Sequence, residues 1–234
     1  KSDDFNDIRE DLKYCVVKGK TYREAVKYKE GHPEKVVVKR AKRAVNKRMI
    51  GVAGSESNIG TTHSIIVLAN YFRKKGFMVS VAEVNDSGAF QTICQEFGES
   101  MFEEGYFTMN GIDFYPDCDE EKLQDVQKRS YNVILLDFGA YSVDNRDAFE
   151  RCEDKIIIAG SKPWELEAVN HIFANASKDV LMKYVFCFNF TQEKDYQAIR
   201  SGMGELESVH FLNYSEDPFA DYSFPDGDEI FMDI

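Results

Sequence analysis

The sequence predicts an α/β domain: a doubly wound, mainly parallel seven-stranded sheet with helices on both faces. Three observations carry that expectation. From Met49 onward, short apolar runs alternate with amphipathic stretches, the pattern of successive βαβ units. Several of these runs are nearly continuous in Val, Ile, Leu and Phe, as strands covered on both faces must be. One amphipathic stretch sets Ile65, Ile66, Leu68, Ala69 and Phe72 in a single stripe at helical spacing, with Arg73, Lys74 and Lys75 at its end and Gly76 as the stop.

Element by element, strands are expected at residues 49–53, 78–84, 112–115, 132–136, 155–159, 184–188 and 209–212. The helix that opens at Thr61 is followed by helices expected at 89–97, 120–129, 163–175 and 192–202. Pro163 suits the first turn of its helix, where the missing N–H is no loss. Residues 1–48 read as an extension with too few apolar residues for a core of its own, broken at Gly31-His32-Pro33. Residues 49–219 form the domain. Residues 220–234 are an acidic and aromatic tail that either covers the domain or docks on a partner.

Composition narrows the function classes. The chain has 234 residues, 43% hydrophobic and 30% charged, and no apolar run reaches the roughly 20 residues that cross a bilayer. Cys15, Cys94, Cys118, Cys152 and Cys187 show neither C-x-x-C pairing nor metal-ligand spacing, so reduced cytosolic thiols are the simplest reading. The start at Lys1 suggests that something upstream has been removed. The net charge of −12 argues against general nucleic-acid affinity, yet it is unevenly spread. Lys35, Lys39, Arg40, Lys42, Arg43, Lys47 and Arg48 crowd one stretch, and no Lys or Arg follows Arg200. The basic arm of residues 35–48 is either simply solvated or meets an anionic membrane surface or DNA.

The stretch with the most chemical content joins the first strand to its helix: Gly54-Ser55-Glu56-Ser57-Asn58-Ile59-Gly60, then Thr61-Thr62-His63. It has the layout of a phosphate-binding loop. In the common form, a Lys after the last Gly reaches the β- and γ-phosphates and the next Ser or Thr holds Mg²⁺. Here Thr61 stands at the lysine position and Thr62 keeps the hydroxyl.

In its order and spacing of motifs, the stretch from Met49 to Phe219 resembles the ParA/MinD branch of P-loop ATPases. That family carries an additional signature lysine near the start of its loop. The resemblance sets Ser55 on the first loop glycine, Glu56 on the signature lysine, and Ser57 and Asn58 on the two middle glycines. It implies that Ile59, Gly60 and His63 also border the nucleotide. A protonated His63 could restore some charge; a surface or packing role is the alternative. Both family cations are absent, and Glu56 would repel the charge that phosphoryl transfer gathers.

The resemblance implies further roles. The second strand ends Glu83-Val84-Asn85-Asp86, where the family places Asp-x-Asp; Asn85 falls on the water-orienting position, and Asp86 could replace it only with a one-residue shift. Asp137 matches the carboxylate that, with Thr62, holds Mg²⁺, although it could equally cap a turn. Asn189 matches the base-reading Asn, or is a turn residue satisfying local backbone, and Asp217-Pro218 would lie beside the same pocket. ATP or ADP with Mg²⁺ is therefore expected to bind weakly; absence of any nucleotide is equally compatible. The function implied is a localisation or assembly scaffold, secretion-, pilus- or partition-like. Its atypical loop departs in the direction of the TadZ and CpaE members, with weak or absent hydrolysis. It would be cytoplasmic or peripheral at the membrane or cell pole, as a homodimer or within a larger assembly. Two alternatives stay open: an active ATPase with a substitute cation, for which Lys162 is a candidate, and a module on the same fold that binds no nucleotide.

Overall fold

The computed structural model describes residues 47–220 and 223–231. The extension and most of the basic arm lie outside the described residues. One eight-stranded sheet organises the molecule, in the order β3-β4-β2-β5-β1-β6-β7-β8. Its strands are β1 (Arg48–Gly54), β2 (Val79–Glu83), β3 (Phe107–Met109), β4 (Ile112–Tyr115), β5 (Val133–Ala140), β6 (Asp154–Gly160), β7 (Tyr184–Asn189) and β8 (Val209–Phe211). All neighbours pair in parallel except β3 with β4. The seven strands expected from the sequence become eight, because β3 was not foreseen. It joins β4 through Asn110-Gly111, both at positive φ, 51° and 73°. That is the backbone of a tight two-residue hairpin, and Asn-Gly is its favoured pair.

The longer helices are α1 (Thr61–Lys74), α2 (Ala89–Glu96), α3 (Glu120–Lys128), α5 (Pro163–Asn175) and α7 (Glu193–Gly202); short ones are α4 (Arg146–Glu150), α6 (Lys178–Leu181) and α8 (Gly227–Ile230). Two buried clusters flank the sheet, as its doubly covered strands require. One gathers Ile50, Val52, Val81, Val133 and Leu135 with α1 and α2. The other gathers Ala53, Ile134, Leu136, Ile157 and Phe186 with Val126 of α3, Val169 and Ile172 of α5, and Ile199 of α7. α1 is buried along ten of its fourteen residues. That burial, more than helix propensity, holds it in place.

The segment beyond Phe219 joins the first cluster. Phe231 packs edge-on against Phe72 at 4.9 Å between ring centroids, and Phe224 is buried beside Tyr71. Tyr71 donates to Asp228 at 2.6 Å, Lys75 pairs with the same carboxylate, and His210 Nδ1 meets Asp226 at 2.7 Å. Cys94, Cys118, Cys152 and Cys187 are free and buried; burial raises the thiols of Cys118 and Cys152 to about 12, so they are poor nucleophiles at neutral pH. Among the described residues, no helix is long and apolar enough to cross a membrane.

Candidate functional site

The parallel strands β1, β2, β4, β5, β6, β7 and β8 all end at one edge of the sheet, where open α/β sheets bind their ligands. At this edge β1 runs into the loop at residues 55–60, and the loop into α1. Ser55 N–H donates to the Ile158 carbonyl of β6 at 2.7 Å, and Tyr141 N–H after β5 donates to the Gly54 carbonyl at 2.8 Å, so both neighbouring strands fasten the loop's start. Gly54 has no room for a side chain: a Cβ there would sit 2.7 Å from Ile59 Cγ2, 2.8 Å from the Glu56 carbonyl, and against Thr61 Oγ1. Gly60 takes φ 95° at the N-cap of α1, the left-handed region that glycine adopts freely. The turn therefore directs the first amides of α1, those of Thr61 and Thr62, away from the helix, where they have no intrahelical acceptor.

Asn189, at the end of β7, fixes this turn from the other side. Its Nδ2 donates to the Ile59 carbonyl at 3.0 Å and lies 3.3 Å from Ser64 Oγ. The side chain is buried, and its amide N–H₂ is committed to the loop backbone.

Thr62 Oγ1 donates to Asp137 Oδ2 at 2.8 Å, while Gly139 N–H donates to Oδ1 at 2.9 Å. Asp137 is fully buried. Burial raises its pKa above the usual carboxylate range, opposed by the hydrogen bonds from Gly139 and Thr62 and reinforced by the nearby Glu83. Gly139, at φ 62°, approaches so closely that a Cβ would lie 3.2 Å from Asn85. Asn85 is committed at both ends of its amide: Nδ2 donates to the Asp137 carbonyl at 2.8 Å, and Oδ1 accepts from Ser87 N–H at 2.9 Å. Glu83 is buried as the cap of α2, accepting from Ser87 Oγ and Ala89 N–H at 2.7 Å each.

These elements enclose a pocket of about 530 Å³. The sequence-derived residues Glu56, Ser57, Asn58, Gly60, Thr61, Thr62, His63, Asn85 and Asp86 line it, joined by Ser87, Gly139 and Ala140. Ser55 and Ile59 are buried behind it. Of the ionisable side chains in that lining, Glu56 and Asp86 are acidic, His63 is the third, and none is Lys or Arg. Lys162 stands elsewhere, as the N-cap of α5, its N–H donating to Glu165 at 2.8 Å. Asp217 and Pro218 also fall outside: the Pro218 carbonyl accepts from Asn70 Nδ2 at 2.9 Å, more than two turns along α1 from Thr62.

A second, smaller cavity adjoins the first through His63 and is lined by Ser64, Asn189, Leu212, Phe224 and Pro225. Its volume is about 20 Å³, room for one water molecule and far too little for a purine. Ser87 and the glycine at 139 were not read as lining residues from the sequence. The Phe138-Gly139 pair after Asp137 was the available signal for the latter.

A mainly parallel, doubly wound sheet whose first strand passes through a glycine-bounded loop into the N-terminus of a buried helix is the architecture of phosphate-binding α/β folds. Solved structures with a similar fold include ParA/MinD-type proteins. A plasmid partition protein from Borrelia burgdorferi superposes with a TM-score of 0.54 at 15% identity, over 76% of this chain and 93% of that one. A ParA family ATPase from Chlorobium tepidum gives 0.53 at 14% identity, over 74% and 86%. The MinD structure in the MinC:MinD complex of Aquifex aeolicus gives 0.55 at 10% identity, over 72% and 82%. At such identities the likeness is one of fold. No protein-family model matches the chain, and no curated protein matches it.

Proposed function

We propose that this protein is a localisation or assembly scaffold built on a P-loop fold, whose loop holds adenine nucleotide weakly and hydrolyses it little or not at all. The observation that carries the reading is the lining of the 530 Å³ pocket: amides and a hydroxyl fit for phosphate, beside Glu56 and Asp86, with no Lys or Arg. Backbone N–H groups at a helix N-terminus favour an anion whatever the side chains. Thr62 and Asp137 are the donors that would hold Mg²⁺ with the nucleotide. The cationic half of the usual site has no counterpart in this lining, and comparable cations supply several kcal/mol in phosphoryl transfer. Asn85, with both ends of its amide bonded, is no base. A homodimer or a larger assembly is the setting in which such a fold would act.

Phosphate release by the purified protein with ATP and Mg²⁺ tests the reading. No release above blank is expected, together with weak calorimetric binding of ATP or ADP. Release that disappears in Thr62→Ala and Asp137→Ala would overturn it in favour of an active ATPase with a substitute cation. No heat with ATP, ADP or GTP would leave an interaction module that binds no nucleotide.

A further inference from the structure

A nucleotide needs two subsites side by side, one for its phosphate chain and one for its nucleoside. The pocket over the loop at residues 55–60 supplies the first. It offers little to the second. A purine is held by flat apolar contact, and pockets for such ligands are lined mainly by apolar and aromatic side chains. None of the residues that line the 530 Å³ pocket is Phe, Tyr, Trp, Leu, Ile, Val or Met, and its one ring is the His63 imidazole.

Apolar lining begins on the other side of His63, in the smaller cavity, and there it is closed. Val67, Leu212 and Phe224 help to bound about 20 Å³, the room of a single water. Ser223, Phe224 and Pro225 form one wall, and the chain on either side of them is fastened. Before them, Asn70 Nδ2 donates to the carbonyls of Pro218 at 2.9 Å and Phe219 at 3.3 Å. After them, Asp226 meets His210 at 2.7 Å and Asp228 accepts from Tyr71 at 2.6 Å. Phe224 itself is 6% exposed, its ring centroid 6.4 Å from that of Tyr71 and 6.5 Å from that of Phe231. Gly227 lies so close on α1 that a Cβ there would sit 2.8 Å from the Tyr71 ring. The opposite wall holds Asn189, whose Nδ2 is already given to the Ile59 carbonyl.

We infer that this site reads a phosphate chain and not a base. Its ligand class is an inorganic polyphosphate, such as tripolyphosphate with Mg²⁺, and a nucleotide is held by its phosphates alone while Phe224 and Pro225 stand where a nucleoside would pack. The amides of Thr61 and Thr62 match phosphate oxygens, and a cation carried by the ligand offsets Glu56 and Asp86. Opening the smaller cavity to a purine would expose Phe224, whose burial favours the closed arrangement. A base that binds a rarely populated open form gains little apparent affinity from it. The inference rests on the phosphate-holding part of the function proposed above and deepens it by naming what is recognised.

Calorimetric titration of the full chain in excess Mg²⁺, at about 0.15 M ionic strength, tests it. ATP, GTP and tripolyphosphate should bind within about threefold of one another, and Thr62→Ala should weaken all three alike, about fivefold. Phe224→Ala removes the ring that closes the cavity and should tighten ATP about fivefold with tripolyphosphate unchanged; circular dichroism confirms that it is folded. Should that variant not fold, the comparison of ligands on the parent decides alone. ATP bound tenfold tighter than tripolyphosphate by the parent would overturn the inference, as would a folded Phe224→Ala protein in which ATP gains nothing. Tripolyphosphate binding that ignores Thr62→Ala would also overturn it, by placing the anion away from the loop. No heat with any of the three would remove the nucleotide-holding function and this inference together. A tenfold preference for ATP leaves that function standing, so the two failures are distinguishable.

Discussion

Asp137 is a carboxylate held out of water by the strands around it and steadied by two donors, Gly139 N–H and Thr62 Oγ1. Its pKa is raised in the folded chain above its value in the unfolded one, so the folded state holds this proton more tightly. The stability it contributes is complete below the unfolded-state pKa and is lost as pH rises through the folded one. Asp137→Asn, which keeps the shape and can still accept from Gly139 while donating to Thr62, should therefore melt at a higher temperature than the parent near pH 7.5. That gap should narrow as pH is lowered toward the carboxylate range, and a gap independent of pH would contradict the assignment. Asn189 acts differently, as a clasp. Asn189→Ala strips a buried donor from the Ile59 carbonyl and should cost about 1–3 kcal/mol in urea unfolding. This residue matched a base-reading position by sequence order alone. The hydrogen bond to the loop depends on β7 lying two strands from β1, which spacing along the chain does not reveal.

Among the elements, the parallel strands and long helices were legible because their signals are local: continuous β-branched runs, a 3.6-residue stripe, a stop at Gly76. β3 escaped. Its three residues, Phe107, Thr108 and Met109, are too few for a pattern, though the Asn110-Gly111 turn beside them was a usable cue. Gly111 sits at φ 73°, so Gly111→Ala should destabilise by about 1 kcal/mol, read as a lower urea midpoint. The C-terminal segment is a similar case, its aromatic residues irregularly spaced in sequence but meeting α1 in space. Phe231→Ala empties a site against Phe72 and should cost about 3 kcal/mol. A loss below about 1 kcal/mol would show that the segment is not integral to the core.

At the scale of the whole molecule, much of the pocket lining was readable because residues 56–63 are one continuous segment. Its far wall of Asn85, Ser87 and Gly139 comes from two other strand ends, and the commitments of Asn85 and Glu83 appeared only once those ends were side by side. The lining makes a direct prediction about affinity. Glu56→Lys with Thr61→Lys places two cations where a carboxylate and a hydroxyl stand, and should tighten ATP binding about tenfold in calorimetry. An unchanged constant would mean that these positions do not face the phosphates.

The two outermost strands, β3 and β8, are each three residues long. A broad sheet that tapers in this way shows other molecules almost no run of open amides and carbonyls along its sides. Copies of this chain crowded together therefore lack a template for zipping flank to flank into fibres.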